Sequence, residues 1–239
     1  MISRRCGFTL VEVSLFLAIT SLIFVGIVAG TQSSIYQQRY NDAVQSFADF
    51  LRNNYSQVLN VQSDGTGNSD DVIYGRIITF GNNGDDDKVI SYSVIGKDTG
   101  EGMGGGALER IQSSTVKARV GVKEDGSDAG LTESYIPKWG SKIQVKNGSS
   151  FGLFGGAIMI IRHPETGTVY TYVTDDSVEE GDYIEGKTFQ TVKIDLCVNP
   201  DGNIAGGDGP RKDVRVVANA RNVSGVVLVS DGDEENGCK

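Results

Sequence analysis

Proline is scarce in this chain, 4 of 239 residues, and histidine is reduced to the single His163. So few prolines exclude a rigid proline-rich linker, and the 32 glycines beside them favour tight turns between strands. The lone histidine falls in RHPETG, where Pro164 to Gly167 reads as a turn, so a hairpin position suits it better than the role of general base. Basic residues are outnumbered, 22 against 31 acidic, and the formal charge of −9 excludes a nonspecific hold on a nucleic-acid backbone through net charge. No internal repeat is detectable. What is present, 38% hydrophobic and 22% charged residues, describes one folded domain with an attached segment rather than a disordered chain.

That segment is RRCGFTLVEVSLFLAITSLIFVGIVAG, residues 4 to 30. From Val13 to Gly30 its only polar side chains are Ser14, Thr20 and Ser21, and at 1.5 Å per residue the run spans roughly 27 Å, close to the hydrocarbon thickness of a bilayer. Arg4 and Arg5 precede it with no acidic residue among the first eleven, which leaves the N-terminus in the cytoplasm and sends everything after Gly30 outside it. A secretory signal peptide, cut near Val28, Ala29 and Gly30, fits the same composition. Two features oppose it. Glu12 places an acid in the segment at a cost of roughly 2.5 to 3.5 kcal/mol. Helical patterning also continues past Gly30, with Tyr36, Tyr40, Ala43, Val44, Phe47, Leu51, Tyr55 and Val58 forming an apolar stripe among polar residues. No proline interrupts residues 8 to 60, so the pattern predicts one helix of roughly 80 Å, its first half in lipid and its second half packed on a domain.

Cys6-Gly7-Phe8-Thr9-Leu10-Val11-Glu12-Val13 resembles the processing site of type IV pilins and type II secretion pseudopilins. The close resemblance covers about the first fifth of the chain. It implies a leader at residues 1–7, cut after Gly7 by a prepilin peptidase, and methylation of the new N-terminal Phe8. It further implies a transmembrane and filament-core half of the helix at 8–30, an amphipathic half at 31–62, and a β-rich globular pilin domain at 63–239. Glu12 becomes the fifth residue of the mature chain, where the family's glutamate pairs with the α-amine of a neighbouring subunit. A lone carboxylate is costly in low dielectric and a paired one much less so, which would make Glu12 a device for setting subunit stagger. The implied partners are other pilins in a homo- or hetero-oligomer, the pilus assembly platform, and the cytoplasmic membrane before assembly; the destination is a pilus at the cell surface. One departure is the missing helix-kinking proline. Gly26 and Gly30 stand in its neighbourhood at G-x-x-x-G spacing, read as close helix approach or local melting of the helix and equally as glycines tolerated in a membrane helix.

Beyond about residue 62, short β-rich runs alternate with Gly/Asn/Asp turns. Val72 to Phe80, GNNGDDDK and Val89 to Ile95 form a hairpin signature. Further runs are Val116 to Val122, Ile143 to Val145, Ala157 to Arg162, Thr168 to Thr174, Thr188 to Val198, Val214 to Ala220 and Val226 to Ser230. Sequential strands with short turns predict an α+β fold, the long N-terminal α-helix lying on one or two mainly antiparallel sheets. If Cys6 leaves with the leader, Cys197 and Cys238 remain, an even count suited to an oxidising compartment. Many pilins pin their C-terminal region with a bridge, so the resemblance implies a Cys197–Cys238 disulfide; two unpaired thiols are the alternative.

No constellation for an enzyme emerges, and no cofactor is expected. Gly100, Gly102 and Gly105 match G-x-G-x-x-G without a βαβ unit around them, which makes a loop the better reading. Acidic clusters at Asp85–Asp87, at Asp201, Asn203 and Asp208, and at Asp231, Asp233, Glu234 and Glu235 invite calcium but lack EF-hand spacing and read as solvated turns. Nucleic acid enters as a partner only through Arg211, Lys212, Arg215 and Arg221, which Asp208 and Asp213 offset and which lack the Gly-Arg-x-Arg motif of DNA-binding minor pilins. The sequence thus points to a structural subunit of a type IV pilus or pilus-like filament. The alternative is a low-copy minor pilin or pseudopilin acting as a tip binding module in DNA uptake, adhesion or protein secretion.

Overall fold

The computed structural model describes residues 9–60, 71–81, 88–97, 106–123, 126, 131–147, 150–163, 166–199, 212–229 and 237–238. These make an α+β chain in two compact units, Met1–Asn41 and Asp42–Lys239. The first helix, α1 (Leu10–Leu59), contains the division, so its apolar and amphipathic parts are taken in turn.

The apolar part is the 19 residues Leu10–Val28, with a mean hydropathy of 2.4 and none of it buried by the chain. Length and composition suit a membrane span, two residues shorter at its C-terminal end than the sequence boundary at Gly30. Its hydroxyls are spent on its own backbone. Ser14 Oγ donates to the Val11 carbonyl at 2.9 Å, Thr20 Oγ1 to Phe16 at 2.9 Å and Ser21 Oγ to Leu17 at 2.7 Å. These groups therefore need no water, the condition hydrocarbon imposes. Helix is assigned through Gly26 and Gly30 without a break.

In the second unit α1 buries Ala43, Val44, Phe47, Ala48, Leu51, Tyr55 and Val58, the three-and-four spacing of one helical face. Tyr36, counted in the expected stripe, is 42% exposed and does not belong to it. Asn54, which the polarity pattern does not mark as core, is fully buried on this face. The strands are β1 (Asp71–Phe80), β2 (Val89–Lys97), β3 (Arg119–Val120), β4 (Glu133–Tyr135), β5 (Lys142–Asn147), β6 (Ser150–Leu153), β7 (Ala157–Arg162), β8 (Val169–Thr174), β9 (Ile194–Asn199), β10 (Lys212–Val216) and β11 (Val226–Val229). A short helix, α2 (Ala107–Ile111), follows β2. One sheet runs β3-β2-β1-β7-β8, with β4 sharing the β2 edge, and the other runs β11-β10-β9-β5-β6. All pairings among these strands are antiparallel.

Both faces of the six-stranded sheet are covered. Phe80 meets Phe47 of α1 edge to face, and Tyr135 stacks against Phe50. The opposite face carries Ile77, Tyr92, Val94, Met159 and Ile161, packed with Ala107 and Ile111 of α2 and with Val178 and Ile184. This double cover explains why Ile158 to Ile161 read as a continuous apolar run instead of an alternating one. Three expected strands are shorter than their apolar runs. Val116 to Val122 forms a strand only at Arg119–Val120, Val214 to Ala220 ends as a strand at Val216, and Thr188 to Val198 pairs as a strand only from Ile194. Before that point Gln190 forms an isolated bridge with Val173.

Buried polar links fix α1 on this sheet. Thr171 Oγ1 donates to the Ala220 carbonyl at 2.6 Å, so the Tyr55 hydroxyl, 2.7 Å away, must be the donor to Thr171. Burial pushes the Tyr55 phenol up to about 12. Ser91 Oγ donates to Asn54 Oδ1 and accepts from Arg76 Nε, which accounts for the buried asparagine.

Candidate functional site

The functional reading concerns two places, the N-terminal end of α1 and the C-terminal end of the chain. At the first, Thr9 is the N-cap. Its Oγ1 accepts the Glu12 N–H at 3.3 Å, while Glu12 Oε2 accepts from the Thr9 N–H and from the Thr9 hydroxyl, both at 3.1 Å. This is a reciprocal capping box, and it sets an acid in the first helical turn, where the helix dipole favours it. The T-x-x-E spacing before an apolar run is its sequence signal, overlooked when Glu12 is read only as a charge in a membrane segment. The second carboxylate oxygen, Oε1, accepts no hydrogen bond among the described residues. Gly7 and Phe8, the expected cleavage site, lie outside the described residues.

At the other end, Cys197 of β9 is bonded to Cys238, with Cα atoms 5.6 Å apart and a sequence separation of 41. Both cysteines are buried. Beneath the bridge lies a charged cluster on β9 and β10. Arg215 Nε donates to Asp195 Oδ1 at 2.5 Å and its Nη2 to Asp213 Oδ2 at 3.3 Å, and the Gly237 N–H also donates to Asp213 Oδ2 at 3.3 Å. Asp213 is fully buried, and that burial, reinforced by the charge of Asp195, pushes its carboxyl up to about 6. A Cβ on Gly237 would stand 2.4 Å from Asp195 Oδ2, so only glycine lets the tail lie this close.

The remaining candidates disperse. Arg215 is buried in the cluster just described, Arg221 lies 5.8 Å over the Tyr170 ring, and Arg211 is outside the described residues. His163 closes the β7–β8 turn: its carbonyl accepts the Gly167 N–H at 2.8 Å and its Nδ1 accepts the Thr166 N–H at 3.3 Å. That is the hairpin position its surroundings suggested. Gly100, Gly102, Gly105 and the three acidic clusters fall outside the described residues. Among the described residues no three His, Cys, Asp or Glu side chains converge as metal ligands would.

No family model, no curated protein and no solved structure matches the chain. Fold and site together define an α+β protein with an N-terminal apolar helix, long enough to cross a membrane, and a C-terminus tied to a sheet by a disulfide.

Proposed function

We propose that this chain is a structural subunit of a type IV pilus or pilus-like filament, cut after Gly7 by a prepilin peptidase and assembled through its N-terminal helix. The observation that supports it best is Leu10–Val28, an apolar helix that the rest of the chain leaves uncovered and that carries one carboxylate at its start. Surface of this kind has to be covered by lipid or by other subunits. In the membrane it is covered by acyl chains; in a filament, by the same helix of its neighbours. Cleavage after Gly7 creates an α-amine on Phe8, charged at neutral pH with a pKa of about 7.7 to 8. Glu12, its Oε2 occupied by the cap, has Oε1 to offer to the amine of an adjacent subunit. The pair forms only at one stagger, which makes it a register device. The antiparallel sheets then form the filament exterior. Other pilins, the peptidase and the assembly platform are the partners, and no catalytic role is assigned.

Mass analysis of the mature N-terminus tests this reading. Removing seven residues from 239 leaves 232 beginning at Phe8, and losing Arg4 and Arg5 takes the formal charge from −9 to −11. A mature start at Thr31 would indicate signal-peptide cleavage and overturn the proposal.

A further inference from the structure

A cleft of about 220 Å³ opens in the second unit beside β1, at the point where the β1–β2 register shifts between Ile73 and Gly75. Bulges of this kind turn side chains out of the ladder and recur beside binding sites. The volume far exceeds the ~10–15 Å³ a single water needs and falls short of the ~300 Å³ where drug-sized pockets begin. At about 30 Å³ per water it holds roughly seven, or one small organic molecule.

Four polar groups meet there without satisfying one another. Ser93 is 1% exposed, and its Oγ is buried without a hydrogen-bond partner among the described residues. Gln57 donates through Nε2 to Glu133 Oε1 at 2.6 Å, which leaves its own Oε1 buried and unpartnered. Arg76 is 4% exposed and is held by Ser91 Oγ at 2.9 Å, by the Ser91 carbonyl at 3.3 Å and by the Leu131 carbonyl at 2.9 Å. None of the ion pairs among the described residues involves it. Arg162 supplies a second guanidinium, tethered through Nη1 to the Leu59 carbonyl at 3.4 Å. Glu133 acts on the Arg76 charge from beyond ion-pair distance, so among the described residues no carboxylate is bonded to this fixed guanidinium; that arrangement can receive a planar anion, and buried groups left unpaired call for a partner. Val58, Val72 and Leu131 give the same cleft an apolar wall.

We propose that this cleft binds a small α-amino carboxylate with an apolar side chain, either as a free amino acid or as the last residue of a peptide. The carboxylate meets Arg76 and the Ser93 hydroxyl, the N–H donates to Gln57 Oε1, and the side chain rests on the Val58, Val72 and Leu131 wall. Arg162 adds charge at the edge. The inference does not depend on the filament reading, which makes no use of this cleft.

Calorimetric titration of the full chain in detergent micelles tests it, with L-leucine, N-acetyl-L-leucine and L-leucinamide as probes. Saturable one-to-one binding of leucine is the expected result for a free amino acid, and of N-acetyl-leucine for a peptide terminus; leucinamide, lacking the carboxylate, should not bind. Ser93→Ala, which removes one hydroxyl, should weaken binding about tenfold, the equivalent of one hydrogen bond to a charged group. Arg162→Met should weaken it as well, and it carries the test alone if Ser93→Ala does not fold. Absence of binding by both carboxylates, leucinamide binding as tightly as leucine, or wild-type affinity in every folded variant would overturn the proposal.

Discussion

Glu12 meets two demands with two oxygens. Oε2 completes the helix cap with Thr9, and Oε1, which accepts no hydrogen bond among the described residues, is the oxygen the proposal gives to a neighbouring subunit. Glutamine satisfies a capping box as glutamate does but carries no charge, so Glu12→Gln separates the two roles. Thr9→Val does the reverse, losing about 1 kcal/mol of cap while keeping the carboxylate. The account expects Thr9→Val to enter filaments at near wild-type levels in quantitative blots of sheared material; exclusion of that variant would mean that the cap, and not the charge, matters for assembly. Asp213 yields a second prediction at this scale. Its carboxyl titrates at about 6 in the fold against 3.8 for the free side chain. A raised folded value means that its stabilising contribution is full below pH 3.8 and is lost as pH rises through 6. By pH 7 the shift amounts to about 3 kcal/mol against the fold. Denaturant midpoints of Asp213→Asn should therefore exceed wild type at pH 7.5 and approach it near pH 4, whereas a variant less stable than wild type at both would contradict the assignment.

Among the elements, β1 at Gly75 and the chain end at Cys238 each meet a close constraint. A Cβ on Gly75 would stand 2.0 Å from the Ile160 carbonyl oxygen and 2.7 Å from Ile161 Cα, both backbone atoms of β7. Gly75→Ala must part β1 from β7 and should cost about 1–3 kcal/mol or more, read as a lowered unfolding temperature; an unchanged temperature would show that the bulge relaxes freely. The Cys197–Cys238 bridge closes a loop of 41 residues and contributes about 4 kcal/mol on the chain-entropy model. Replacing both cysteines with serine should lower the denaturant midpoint accordingly, and an unchanged midpoint would show that the tail adds nothing to the fold. These elements differ in how plainly sequence announces them. The β1–β2 hairpin is legible because a Gly/Asn/Asp turn separates two β-rich runs, and the α1 stripe because its period is 3.6. The α2 helix and the strands β4 and β6 are three to five residues long, too short for a period to show. Asn54 is polar by type and core by position, because Ser91, distant in sequence, donates to its Oδ1 and the Phe50 carbonyl one turn back accepts from its Nδ2. The cleft likewise joins Gln57, Arg76, Ser93 and Arg162, a juxtaposition only the fold creates.

At the scale of the whole molecule, the chain combines an apolar helix that it does not cover with a unit whose six-stranded sheet is covered by α1 on one face and α2 on the other. The apolar surface is thus concentrated at one end of the sequence, and the acidic balance of the remainder suits an exterior facing water. Assembly through the helix is the central claim. Its most direct test is the partition of the chain between sheared filaments and the membrane fraction, wild type beside Glu12→Gln, each expressed as the only copy. The account predicts wild-type chain in the filament fraction, and Glu12→Gln made at the same level, folded, but confined to the membrane. Absence of the wild-type chain from filaments, or Glu12→Gln present there at wild-type abundance, would contradict it.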